Sequence, residues 1–167
     1  MPGAWWEAIW STIREEFSDL PDLTGATRIT VRLMLAAVLG GILGLEREQK
    51  GKAAGLRTHM LVALGAALFV LIPEQAGSSD ADLTRVIQGV VAGIGFLGAG
   101  SIIKGNAEED IKGLTTAAGI WLTAAIGIAA GMGRETTAVL STILAVTILS
   151  AASKFGRFLQ SRGKSSS

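Results

Sequence analysis

Apolar residues gather into five blocks along the chain, separated by short polar stretches and preceded by one region of helically spaced polar and apolar positions. Four blocks, at 29–45, 86–103, 114–132 and 136–152, approach the about 20 helical residues that a hydrocarbon core requires. The fifth, at 60–72, is short, because at ~1.5 Å per residue it falls well below the core thickness. Either its helix begins near Ala54 and draws Arg57, Thr58 and His59 into it, or the segment is re-entrant. The first reading is preferred: Pro73 closes the far end, while nothing from Leu56 onward breaks a helix. Residues 1–25 behave differently. Trp6, Ile9, Trp10, Ile13, Phe17 and Leu20 recur at three- and four-residue spacing with Glu7, Arg14, Glu15 and Ser18 between them, which predicts an amphipathic helix. Its tryptophans suit a helix lying in the headgroup plane, and the alternative is a helix packed on the protein's own outer face. A secretory signal is not expected, since no basic region precedes a compact apolar core.

The pattern therefore predicts an all-α membrane protein with five transmembrane helices: an N-terminal helical segment (1–25), a membrane domain (26–153) and a basic tail (154–167) that ends in a disordered GKSSS. Composition agrees with it. Only 17% of residues are charged and 49% are hydrophobic, against about 25% charged in soluble domains. A net charge of +1 provides no basic field for nucleic acid, so the lipid bilayer is the first partner. The chain has no cysteine, which removes disulfides, thiolate metal sites and thiol nucleophiles. Five spans place the termini on opposite sides. The segments 46–57, 104–112 and the tail hold ten of the fifteen basic residues, which predicts a cytoplasmic C-terminus and an outside N-terminus in an inner membrane.

Glycine then adds detail within the spans. Gly40 and Gly44, and Gly89 and Gly93, form small-xxx-small pairs, with Gly95 and Gly98 further along, and such pairs let helix backbones approach closely. Helix packing and self-association into a homo-oligomer are the expectation, with a flexible or ion-lining helix as the alternative. The chain also matches itself: GLRTHMLVALGAAL (55–68) aligns with GLTTAAGIWLTAAI (113–126), and GILG (41–44) with GFLG (95–98). A true duplication would make spans one and two a unit repeated, in the same direction, by spans three and four, with the fifth helix added. Chance small-residue matches are the alternative.

The polar residues that remain are the candidates for function. If the repeat holds, Thr58 and the pair Thr115 and Thr116 stand at two helix starts, where free N–H groups and the dipole suit an anion. The simpler alternative is that they only cap their helices while Arg57 snorkels. Glu46, Arg47 and Glu48 end the first span opposite Arg57, Thr58 and His59, so Glu46 or Glu48 is expected to meet Arg57. His59 is either a structural hydrogen-bonding residue or a sensor of acidity. Towards the other side, Arg32, Asp82, Arg85 and Gln88 form an expected polar cluster that is structural or lines a solute path. Two acidic loops, with Glu108, Glu109 and Asp110 in one and Glu74, Asp80 and Asp82 in the other, attract a hydrated cation weakly at best. No specific metal site and no cofactor are expected. No nucleophile–base–acid set appears, so no catalytic residue is expected either.

Three stretches, GLEREQKGKAAGLRTHMLVALGAALF, DLTRVIQGVVAGIGFLGAGSII and KGLTTAAGIWLTAAIGIAAG, closely resemble the MgtC/SapB family of bacterial inner-membrane proteins, in the family's order and over about residues 30–150. The resemblance implies a non-enzymatic polytopic protein. Relatives are associated with growth in low magnesium, survival inside host phagocytes and restraint of the proton-driven ATP synthase, which makes such a complex an expected partner. Members of the MgtC type carry a soluble domain after the fifth helix. This sequence stops soon after that helix and so resembles the short SapB-like branch. The family's Asp-Pro before the third span is Asp82-Leu83 here. Two functions stand after the sequence: a regulator of magnesium or proton homeostasis or of another membrane complex, and a small ion or solute transporter with a path through the glycine-rich bundle.

Overall fold

The computed structural model describes residues 4–16, 18, 22–104 and 111–163. The chain divides into two units, residues 1–31 and 32–167. The first holds α1 (Ala4–Glu16) and the opening turns of α2 (Leu23–Gln49). Trp5, Trp6 and Trp10 of α1 are about half exposed and meet one another edge to face, the geometry that indole quadrupoles prefer. Phe17 and Leu20, which continue the predicted apolar face, lie outside the described residues.

The second unit contains the rest of α2, then α3 (Leu56–Gln75), α4 (Asp80–Gly100), a hairpin of two short strands β1 (Ile103–Lys104) and β2 (Ile111–Lys112), α5 (Leu114–Gly131) and α6 (Glu135–Gly163). Helices α2 to α5 are long and apolar enough to cross a membrane, and α6 adds a shorter apolar stretch, Glu135–Ala151. The protein is an all-α membrane protein. The short block at 60–72 does belong to a longer helix, which starts at Leu56 and carries Arg57, Thr58 and His59. Pro73 sits inside its last turn instead of closing it, at the cost of the one bond its nitrogen would have made to the carbonyl of Phe69. The third span is shifted towards the N-terminus. Ser79 caps it, accepting from Asp82 N at 3.3 Å, and its helix ends at Gly100, with Ile103 in the antiparallel hairpin opposite Lys112. The helix α6 continues to Gly163, across most of the expected tail. Residues 164–167 lie outside the described residues.

Helices α3 and α5 form the centre. On one side, Ala63 and Ala67 of α3 and Ile126 and Ala130 of α5 pack with Ala36, Leu39 and Leu43 of α2 and Ala138 and Ala145 of α6. On the other, Ala66 and Val70 of α3 and Ile120, Ala124 and Ile128 of α5 pack with Ile94 of α4. Small residues dominate because lipid chains are as apolar as leucine, so close van der Waals contact has to hold the helices together.

The α3–α5 seam is the tightest contact. A Cβ on Gly127 would lie 2.8 Å from Ala63 Cα, and one on Gly131 would lie 2.6 Å from Ala67 O. With Gly119 and Thr123, these glycines form one row of α5 at four-residue spacing. It meets the row His59, Ala63 and Ala67 of α3 in the same order, so the two helices run in the same direction. Helix α2 runs against α3: Gly40 meets His59 and Ala63, while Gly44 meets Leu56 and His59. In the second half, Gly98 faces Ala117 more loosely, with a Cβ there at 3.5 Å from Ala117 Cβ. Gly44 and Gly98 are matching positions of the repeat, as are His59 and Ala117. The packing thus has the order that a duplicated, like-oriented hairpin requires.

Candidate functional site

At the end of the bundle where α3 and α5 begin, polar groups enter a region that small residues leave accessible. His59 is fully buried, and its Nδ1 lies 2.9 Å from Gly55 O. A carbonyl only accepts, so Nδ1 carries the hydrogen, and in a neutral ring Nε2 is an acceptor. Nε2 has no hydrogen-bond partner among the described residues, and it lies 3.6 Å from where a Cβ on Gly119 would be. The imidazole thus stands at contact distance from position 119 of α5, with room there for no more than a methyl group.

Arg47 is 3% exposed. The Glu46 carboxylate takes both the Arg47 guanidinium and the Lys50 ammonium, and Lys50 also donates to Leu149 O of α6 at 3.1 Å. A buried guanidinium is tolerated only with such a partner. Glu48 takes a different role: its Oε2 accepts from the Leu56 N–H at 2.8 Å and fills a free donor at the start of α3. Glu46 and Glu48 are thus both engaged, and neither with Arg57, which is exposed together with Thr58 and Thr115. Thr116 is buried.

The opposite end is organised around Arg32. Its Nη1 donates to Glu74 Oε2 at 2.8 Å and to Gly131 O at 3.0 Å, and Glu135 Oε1 lies 4.0 Å from its Nε. One guanidinium therefore ties α2 to the ends of α3 and α5 and the start of α6. It also neutralises the negative end of the α5 dipole. The turn that follows α5 depends on Gly133, at φ +68°, where a side chain would be strained and would also strike Arg32. The expected cluster of Arg32, Asp82, Arg85 and Gln88 is not assembled around Arg32. Asp82 instead pairs with Arg85 at 3.2 Å within α4, both are exposed, and Gln88 is exposed as well.

Two groups of residues escaped sequence reasoning. Glu74 and Glu135 were legible as acids near a helix end, but nothing local aims them at Arg32. The α5 row of Gly119, Thr123, Gly127 and Gly131 carried a signal, its four-residue period, that the better-known GxxxG pair on α4 obscured. Of the predicted packing glycines, Gly40, Gly44 and Gly98 make contact, whereas a Cβ on Gly89, Gly93 or Gly95 would meet nothing within 4 Å. Gly89 and Gly93 instead line an apolar groove of about 600 Å³ with Leu61, Gly65, Phe69 and Leu97. Among the described residues, no three acidic or histidine side chains converge as a metal site would need, and Glu108, Glu109 and Asp110 lie outside the described residues.

Comparison with known proteins matches residues 33–158 to the MgtC family. Protein SrpB of Synechococcus elongatus is 42% identical over 133 residues, 73% of each chain. The Escherichia coli K12 protein named "Putative magnesium transporter YhiD" is 42% identical over 127 residues, 71% of this chain and 58% of its own length. Protein MgtC of Brucella abortus is 43% identical over 113 residues, 68% of this chain and 46% of its own. The chain thus spans only about half the length of the last two relatives. No solved structure matches. The family match covers α3, α4 and α5 whole, together with the parts of α2 and α6 that pack on them, and the chain belongs to the MgtC family.

Proposed function

We propose that this chain is a non-enzymatic regulatory protein of a bacterial inner membrane, tied to magnesium homeostasis, which works by binding other membrane components and not by conducting ions through its own bundle. The observation that carries this reading is the α3–α5 seam. Where a path through the bundle would run, glycine and alanine bring two helix backbones into contact. The hydroxyl of Thr123 in that row is already committed to Gly119 O at 2.8 Å. Charges close both ends: Arg32 with Glu74 at one, Arg47 and Lys50 with Glu46 at the other. An ion crossing this seam would find no oxygen-lined route to replace its hydration.

The link to magnesium rests on family membership and on the name that the Escherichia coli relative carries. The open face of α4 suits association with a second copy of this chain, because Gly89 and Gly93 leave a backbone-deep groove for a helix. The charge bias puts the rim with Arg57 and His59 in the cytoplasm, where a partner protein would dock.

Purified protein in liposomes loaded with a magnesium- or proton-sensitive dye tests the proposal. Flux equal to that of empty liposomes is expected, together with co-purification of a membrane partner that Arg57→Ala abolishes. Saturable flux that falls with Asp82→Asn or Arg85→Gln would overturn it in favour of a transporter.

A further inference from the structure

The two halves of the repeat treat the starts of their central helices differently. In the first, Glu48 reaches across from the end of α2 and its carboxylate occupies the N-terminus of α3 at Leu56. Gly55 is what admits it, since a Cβ there would lie 2.6 Å from Glu48 Oε2. Laying GILGLEREQ (41–49) on GFLGAGSII (95–103) puts Ile102 at the position of Glu48. The aligned position of the second half therefore holds no carboxylate. The helix α5 starts after Gly113, at φ +98°, with no side-chain cap, and its first N–H groups have no acceptor within the helix.

What surrounds that start is a cavity of about 420 Å³, lined by Lys52, Ser101, Lys112, Gly113 and Thr116. Thr116 is 3% exposed and lines this space. Its hydroxyl makes no hydrogen bond among the described residues, whereas the hydroxyls of Thr123 and Thr142 each bond back to a carbonyl four residues earlier. The residue is buried but its hydroxyl is not among the fully enclosed, unpartnered atoms, so it is open to the cavity and can donate into it. Lys52 and the positive end of the α5 dipole favour a negative guest.

We propose that the cavity at the start of α5 binds a phosphate-type oxyanion, which supplies from outside the negative group that Glu48 supplies to α3. The anion accepts from the opening N–H groups of α5 and from the Thr116 hydroxyl, with Lys52 balancing its charge. The same chemistry is offered by free inorganic phosphate and by the phosphodiester of an anionic lipid. The site does not depend on whether the bundle conducts ions.

The test uses the full chain in phosphatidylcholine nanodiscs, with the amide resonances of Leu114, Thr115 and Thr116 followed by NMR. Titration with inorganic phosphate is expected to shift these amides saturably. If they shift only when phosphatidylglycerol is added to the nanodiscs, the lipid phosphate is the ligand and the site stands. Thr116→Val is expected to weaken binding about tenfold, the equivalent of one hydrogen bond to a charged group. Ile102→Glu restores the missing carboxylate in cis. It is expected to abolish the response while the protein remains folded, as judged by unchanged amides elsewhere. Absence of any shift with either phosphate source, or an undiminished response in a folded Ile102→Glu protein, would overturn the proposal.

Discussion

Gly127 and Gly93 are the same residue in neighbouring helices, yet they face opposite consequences. A methyl group on Gly127 enters the backbone of Ala63, and one on Gly93 enters open space. Gly127→Ala is therefore expected to cost about 1–3 kcal/mol of folding stability, the usual range for overpacking. Gly93→Ala should change stability by no more than ~0.5 kcal/mol while weakening self-association. Unfolding titrations in mild detergent, read beside cross-linking in membranes, separate the two effects. His59 belongs to the same scale. A Cβ at position 119 would touch its ring at 3.6 Å, so the larger Gly119→Leu should perturb the His59 ring resonances directly.

Among the elements, stability depends on how the helix ends are closed. Glu48→Ala removes the carboxylate from the start of α3 and is expected to cost about 1 kcal/mol, the usual value of a lost cap. Faster hydrogen exchange at Leu56 and the next two amides is the readout. Arg32→Gln should cost about 1.5–3 kcal/mol, because it removes charge-assisted bonds to Glu74 and to the last carbonyl of α5 together. Loss of stability with Arg85→Gln should be small by comparison, since the Asp82–Arg85 pair is exposed and lies within one helix. The helices themselves were legible in the sequence, because a run of apolar residues near bilayer length leaves few alternatives. That α3 begins ahead of its apolar block was legible too, near Ala54 by sequence and at Leu56 in the structure: the block was too short to span, and the polar residues before it contained no breaker. The end of α4 was less legible, because Ile102 and Ile103 are apolar whether they continue a helix or leave it. The partner of Arg32 was illegible. Glu74 lies 42 residues away, and only the fold brings it closer than the acids of α4.

At the scale of the molecule, the arrangement of α2 to α5 agrees with two short matches, GLRT with GLTT and GILG with GFLG. They predicted like-oriented hairpins, and the contacts Gly44–His59 and Gly98–Ala117 now occupy corresponding places. The sequence did not reveal which helices would be central. That depends on the four-residue glycine row of α5, whose meaning appears only once a second small-residue row, on α3, stands against it. The departures from symmetry are as informative as the matches, because Ile102 in place of Glu48 and Ala117 in place of His59 make the two rims chemically different. The direction and closeness of the α3–α5 seam support the regulatory reading, and the absence of native cysteine makes the seam directly testable. Oxidative cross-linking in native membranes of Ala67→Cys with Ala130→Cys, buried in the same cluster, is expected to give an intramolecular disulfide, while Ala67→Cys with Ala118→Cys gives none. Cross-linking of the second pair and not the first would mean that α3 and α5 run in opposite directions, and would contradict the account.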